Sequence, residues 1–388
     1  MKHKRILVLI HSFQPGGAEI CASQLATDLS DRFQFLVAAL DGTGPLQKKL
    51  MSAGLRTMWF QRRAGIDLSL ALNLARLVRS EKCVLIHAHQ YSPFAYALLA
   101  RMYGPKVPIL FSEHGRFAND CRRMRRIAAN RWLLSAEDRV TAVSESVREA
   151  LVRYEGMPRH RITIVTNGVN VNYFRPASQA EKEAIRVKLG LRPDWFVIVM
   201  VARLDPVKDH ATAVRAFERA YKQFPNSRLL IVGDGPECSR IKRWREERGL
   251  SSVILLCGEQ PQTRDYYRAA DCFLLTSISE GMPLSVLEAM SCSLPVVATG
   301  CGAVPEMVQD GINGFTTAIG DDMMLAKHLI NLAREPELRK KMGAAGRKKC
   351  IELYNWCRTT ERYAHLYEKM LGIEGASNCH GGIPVFCR

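Results

Sequence analysis

The sequence predicts an α/β protein made of two doubly wound domains. Apolar runs of strand length alternate with amphipathic helical patterns along nearly the whole chain, and one strand, loop and helix opening occurs near Ile6 and again near Trp195. A chain of 388 residues is also long for one core, which favours two domains. Alternation of this kind buries parallel strands under helices on both faces and sets ligand loops at the strands' carboxyl ends.

The first opening is the apolar run Ile6 to Ile10, followed by the turn Gln14-Pro15-Gly16-Gly17-Ala18-Glu19 and a helix over Ile20 to Leu29. Phe33 to Leu40, Val84 to Ala88 and Pro108 to Ser112 read as further strands, with helices over Leu46 to Ala53, Leu68 to Ser80 and Pro93 to Tyr103. Gly16, Gly17, His89 and His114 thereby fall at the carboxyl ends. Arg122, Arg123, Arg125, Arg126 and Arg131 then crowd a helix that also carries Met124, Ile127, Ala128 and Trp132 to Leu134. Such a face is either an ordinary solvated helix packed by its apolar side or a contact for an anionic membrane or lipid acceptor.

Arg139 to Ser144 and Arg161 to Val165 are two more strands, and the polar stretch from Thr166 to Pro176 marks a boundary between a first domain, 1–168, and a second, 169–354. In the second, the strand Trp195 to Ala202 leads into Arg203-Leu204-Asp205-Pro206-Val207-Lys208-Asp209-His210 and a helix over Ala211 to Phe224. The loop chemistry has changed from paired glycines to paired cations. Strands follow at Arg228 to Val232, Val253 to Cys257, Cys272 to Thr276 and Pro295 to Thr299, with helices over Asp322 to Ala333 and Pro336 to Leu353. The last helix, residues 355–371, carries Trp356, Tyr363, Leu366, Tyr367 and Met370 on one broad face that needs a partner surface, and 372–388 is a tail without periodicity.

Composition narrows the partners. A formal charge of +17 implies an anionic one: nucleic acid, a membrane surface or a phosphorylated substrate. The 12 cysteines include no Cys-x-x-Cys pair and read as reduced thiols. The charged start is followed by an apolar run too short for a secretory signal, and nothing approaches the roughly 18 apolar residues of a membrane span. The expectation is a cytoplasmic protein.

Chemistry concentrates in Ser279-Glu280-Gly281-Met282-Pro283-Leu284-Ser285-Val286-Leu287-Glu288-Ala289-Met290. Gly281 and Pro283 suit a turn into a helix whose free amides and dipole favour a phosphate. Glu280 precedes that start and Glu288 lies inside it, so the two carboxylates can hold separate hydroxyl groups of one ligand. Taken alone, such a pair is commonplace on a solvated surface. In the same way, Arg203 could merely pair with Asp205, Lys208 with Asp209, and Gly16-Gly17 could be a structural turn.

Together with Val201-Ala202-Arg203, Lys208, Val232-Gly233-Asp234-Gly235-Pro236, Asn167-Gly168-Val169 and the run from Glu280 to Gly314, this stretch resembles the retaining glycosyltransferases of family 4, which have the GT-B fold. The likeness spans about residues 5–371 and is densest in the second half. It implies two Rossmann-like domains facing a cleft, with the nucleotide sugar mainly on the second, the acceptor on the first, and the last helix crossing back onto the first. It also implies roles by position. Arg203 and Lys208 hold the donor diphosphate, Glu280 the sugar hydroxyls and Glu288 the ribose hydroxyls. Gly281, Met282, Pro283 and Leu284 contact diphosphate and sugar, Gly16 and Gly17 close on the donor, and His114 lies near the reacting carbon. No Asp-x-Asp motif occurs in the chain, so no metal and no cofactor is expected, with fixed cations doing the leaving-group work. Asn170, Thr166 and Ser293 depart from the residues usual in the family, without touching a catalytic contact.

The implied function is transfer of a hexose or N-acetylhexosamine, from UDP by family frequency, to a saccharide or lipid-linked acceptor in surface polysaccharide or glycolipid synthesis. The protein would be cytoplasmic and peripheral on the anionic inner face of the membrane, without nucleic acid as partner. The alternatives are a GT-B nucleotide-sugar epimerase and a noncatalytic basic protein that binds membrane or nucleic acid. The second leaves Arg203, Lys208, Glu280 and Glu288 unexplained.

Overall fold

The computed structural model describes residues 4–115 and 124–373, which form two compact units. One comprises the chain up to Asn167 together with the segment from Cys357; the other is Gly168–Trp356.

In the first unit, short apolar segments give strands β1 (Arg5–Ile10), β2 (Gln34–Ala39), β3 (Arg56–Trp59), β4 (Cys83–His89), β5 (Ile109–Glu113), β6 (Arg139–Ala142) and β7 (Ile162–Ile164). All pairings are parallel, in the order β3-β2-β1-β4-β5-β6-β7. Strand order reverses between β1 and β4, the place where doubly wound sheets open a crevice for ligands. The helix after β1 is Gly17–Asp28, so Ala18 and Glu19 belong to it rather than to the turn. Leu68–Ser80 is helical as its amphipathic pattern predicts, and Asp67 caps it by accepting from the Leu70 amide at 3.1 Å.

The second unit repeats the plan with β8 (Phe196–Val201), β9 (Ser227–Val232), β10 (Ile254–Leu256), β11 (Cys272–Leu275), β12 (Val296–Thr299) and β13 (Gly314–Thr317). The order β10-β9-β8-β11-β12-β13 is again parallel throughout, with its reversal between β8 and β11. Central strands such as Val197 to Met200 and Phe273 to Leu275 have no exposed surface, which explains their unbroken apolar runs.

The final helix, Trp356–Leu371, packs within the first unit through its aromatic face. Tyr367 Oη lies 2.6 Å from His87 Nδ1, Tyr363 Oη 3.1 Å from Ser112 Oγ, and Arg32 binds Glu361 and Glu368 at 3.1 and 2.7 Å.

Three expectations are corrected. β3 was missed because Arg56-Thr57-Met58-Trp59 is an exposed edge strand without an apolar run. The helices Glu145–Glu155, Cys238–Glu247 and Arg264–Ala269 were missed because they are short or strongly polar. Cys357 is disulfide-bonded, a single link that a search for closely spaced cysteines cannot find; the other eight described cysteines are free. Arg122, Arg123 and most of the 372–388 tail lie outside the described residues.

The helix Leu284–Ser291 is backed by Pro336–Leu353, and Gly343 permits the approach: a β-carbon there would stand 2.0 Å from the Ser293 carbonyl oxygen. Gly343→Ala should therefore push these helices apart and destabilise the protein by about 1–3 kcal/mol, measured by chemical denaturation.

Candidate active site

In the second unit the candidate residues gather at the reversal of strand order. The loop after β8 carries Arg203 and Lys208, and the loop after β11 carries Ser277 to Glu280. These loops are stitched together. Ile278 donates its amide to the Val207 carbonyl at 2.9 Å, and Thr276 Oγ1 donates to the carbonyls of Lys208 and Asp209, both at 2.9 Å. Lys208 Nζ reaches Glu280 Oε1 at 2.5 Å across the switch point, and the two side chains are 17% and 6% exposed. Ser277 Oγ donates to the same carboxylate oxygen at 2.6 Å.

Arg203 stands apart. Its guanidinium is 68% exposed and bonds Asp205 at 2.6 Å, the plainer of the two arrangements open to it, while Lys208 pairs with Glu280 rather than with Asp209. The loop bearing Arg203 is shaped by glycines. β-Carbons at Gly233 and Gly235 would meet the carbonyl oxygens of Ala202 and Leu204 at 2.0 and 2.5 Å, and both residues have positive φ. Asp234 caps this turn, accepting from the Gly235 amide at 2.7 Å.

The helix Leu284–Ser291 begins just after Pro283, which takes the N-cap position with no side-chain cap, so the first amides of the helix have no side-chain partner at the cap. Met282 is buried at 3% exposure. The backbone of Glu280 is held from the opposite side by Gly302, where a β-carbon would stand 1.8 Å from the Glu280 carbonyl oxygen. Glu288, one turn into the helix, accepts from Tyr267 Oη at 2.7 Å. Burial pushes its carboxyl up to about 7, against the opposing effect of the Tyr267 hydrogen bond. Ser277, Tyr267 and Gly302 were not foreseen. Tyr267 sits on a six-residue helix with no readable periodicity.

In the first unit, His114 follows β5 and lies 2.9 Å from His89 Nδ1 through its Nε2, the two rings stacked. Burial lowers His114 to about 4, opposed by the Asn167 side chain, and also drives His89 well below its usual range. Both imidazoles are therefore neutral at physiological pH. His89 Nε2 is buried without a hydrogen-bond partner, which leaves a donor or acceptor on that ring for a ligand. Gly16 is the N-cap of Gly17–Asp28, and a β-carbon at Gly17 would meet nothing within 4 Å. Neither glycine has positive φ, but a β-carbon at Gly16 would stand 2.4 Å from Glu19 Oε2, so that side chain would have to move for any other residue.

Of the arginine-rich helix, Met124–Leu133 is described. Arg126 is spent within the unit, 3.2 Å from Glu155 and stacked on Tyr91, whereas Trp132 is 84% exposed. Among the described residues no helix is long and apolar enough to cross a membrane.

Two doubly wound units, one with a cation and a carboxylate paired at the switch point beside a helix start, define a protein of the doubly wound α/β class. Comparison with known proteins makes this particular. Residues 15–173 match the family described as Glycosyltransferase Family 4, and 181–349 match Glycosyl transferases group 1. The chain is 28% identical over 316 residues to N-acetyl-alpha-D-glucosaminyl L-malate synthase of Bacillus anthracis, covering 79% of this chain and 80% of that one. It is 26% identical over 329 residues to alpha-maltose-1-phosphate synthase of Mycolicibacterium smegmatis, covering 78% and 83%. The crystal structure of Anabaena HepE in complex with UDP-glucose superposes with a TM-score of 0.84 at 21% identity, over 95% of this chain and 100% of that chain. The chain belongs to the family 4 glycosyltransferases, with the GT-B fold.

Glu288 yields a signed prediction. Its carboxyl is raised in the folded protein, so between about 4.5 and 7 the native state holds a proton that the unfolded chain has lost, and stability falls as pH rises through that window. Part of the residue keeps contact with solvent, so the effect is on the order of 1–2 kcal/mol. Glu288→Gln should flatten the pH dependence of the melting temperature from pH 5 to 8, while Glu280→Gln should leave it in place.

Proposed function

We propose that the chain moves a hexose or N-acetylhexosamine from a nucleoside diphosphate sugar to a hydroxyl of a saccharide or lipid-linked acceptor, with retention of anomeric configuration and without a metal ion. The observation that carries this reading is the Lys208–Glu280 pair, set beside the uncapped start of Leu284–Ser291. A bound diphosphate can take the ammonium, and a sugar hydroxyl can take the carboxylate. Glu288 then accepts the ribose hydroxyls, which requires its ionised form. UDP is the donor nucleotide we favour, in keeping with the UDP-glucose held by HepE.

In the reacting complex the bond from the anomeric carbon to the phosphate oxygen breaks, and its electron pair leaves with the nucleoside diphosphate. Lys208 and the amides around Gly281 to Leu284 meet that charge with groups already in place, and Arg203 joins them on turning from Asp205. The acceptor oxygen attacks the face the diphosphate leaves, and its proton passes to the departing phosphate. The family likeness assigns His114 a hydrogen bond near the anomeric carbon. Being neutral, it adds no positive charge where positive charge develops. The family likeness assigns Gly16 and Gly17 to the donor. Glu280 positions the sugar, and we assign no nucleophilic carboxylate.

The exposed Trp132, beside exposed Arg125 and Arg131, supports attachment to an anionic membrane surface, which suits a lipid-linked acceptor. Trp132→Ala should then weaken sedimentation with vesicles containing phosphatidylglycerol and leave UDP affinity unchanged. Unaltered sedimentation would contradict the attachment.

Incubation of the protein with labelled UDP-sugars, with and without membrane extract, tests the reaction. Transfer should require extract, survive EDTA and give a product whose anomeric configuration by NMR matches the donor's. Lys208→Ala and Arg203→Ala should each lower kcat by about 10²–10³-fold. Isomerised donor formed without acceptor would indicate an epimerase instead.

A further inference from the structure

The first unit carries a polar cavity at the carboxyl ends of β2 and β3, of about 770 Å³ and lined by Asp41, Trp59, Gln61, Arg62 and Arg63 among others. This volume lies in the range of small-molecule sites. Its walls are built rather than loose. Asp41 and Gln61 form an isolated antiparallel bridge, the Gly42 amide donates to Phe60 at 2.8 Å, the Arg62 amide to Leu40 at 3.2 Å, and the Asp41 amide to His11 at 2.8 Å. Arg62 is fixed on Asp41 at 2.7 Å, with His11 Nε2 3.3 Å from the same carboxylate. Trp59 keeps 46% of its surface exposed at the end of its strand, and Arg63 is also exposed.

We infer that this cavity is an acceptor subsite for one saccharide unit, set back from the reacting hydroxyl. The inference rests on the glycosyltransferase reading and specifies its acceptor. An exposed indole offers a flat apolar surface to the C–H face of a pyranose, while Asp41, Gln61, Arg62 and Arg63 offer planar, two-pronged groups to neighbouring hydroxyls. Neither half would be expected of a purely ionic site: phosphate needs no indole, and an aliphatic ligand needs no such ring of polar groups.

Position sets the acceptor's length. All strands of this sheet run parallel, so the cavity lies on the same edge as the Gly16-Gly17 turn after β1 and His114 after β5. Between β2 and β5 there are three strand steps, roughly 15 Å, which about two or three linked pyranose rings would span. The acceptor is therefore an oligosaccharide, and a monosaccharide acceptor forgoes the Trp59 contact.

A glycan array bearing mono- to hexasaccharides of common hexoses and N-acetylhexosamines, probed with the full chain, tests this alongside calorimetric titration of UDP. The wild type should retain glycans of about three or more sugars in preference to monosaccharides. Trp59→Ala should weaken that retention by about tenfold or more, Trp59→Phe should recover most of it, and both variants should melt and bind UDP as the wild type does. Glycan retention untouched by Trp59→Ala overturns the inference. So does UDP binding without retention of any glycan, which leaves the donor site standing, and so does loss of glycan retention to millimolar inorganic phosphate irrespective of glycan length, which marks an anion site. A wild type that binds neither UDP nor glycan overturns the donor reading and this inference with it.

Discussion

The Lys208–Glu280 ion pair is the interaction on which the candidate site depends. It joins the loops after β8 and β11 where strand order reverses, and it buries two opposite charges that neither loop could bury alone. Each group serves as the other's placeholder. A ligand entering this site must offer a negative group to the ammonium and a hydrogen-bond donor to the carboxylate, and a nucleoside diphosphate sugar carries both in one molecule. On the proposed reading, selectivity for the whole donor over its fragments would follow from that requirement, because a fragment would leave one partner buried and unpaired.

The surrounding structure keeps the pair in register by close backbone approaches. Gly302 lets the loop after β12 lie against Glu280, Gly343 lets the last long helix of the unit back the Leu284–Ser291 helix, and Gly233 and Gly235 let one turn lie on the backbone that carries Arg203. None of these glycines need touch a ligand. They act by setting where three loops sit, and catalysis by positioning and electrostatics is sensitive to displacements of that order.

Much of this was legible in the sequence, for identifiable reasons. Buried parallel strands are continuous apolar runs, so β1, β4, β8 and β11 stood out, and the two strand-loop-helix openings revealed the repeated fold. Edge strand β3 escaped because Arg56 and Trp59 face water. At the site, Arg203, Lys208, Glu280 and Glu288 were legible from residue type, spacing and family likeness. Of their partners, only Asp205 for Arg203 was within reach of a local reading. That Lys208 would choose Glu280 over Asp209 and that Tyr267 would reach Glu288 from a six-residue helix depend on how loops meet in space, which no local pattern encodes. The two histidines show the same division. Their places at strand ends were readable, but their mutual contact and neutral state come from burial.

The placeholder role of the ion pair is most directly tested by calorimetric titration of UDP and UDP-glucose into the wild type and Glu280→Gln. On the proposed reading, removing the carboxylate would free Lys208 for phosphate and remove the grip on the sugar. The account predicts that Glu280→Gln binds UDP more tightly than the wild type does while losing the preference for UDP-glucose over UDP. Unchanged or weaker UDP binding with the preference intact would contradict it.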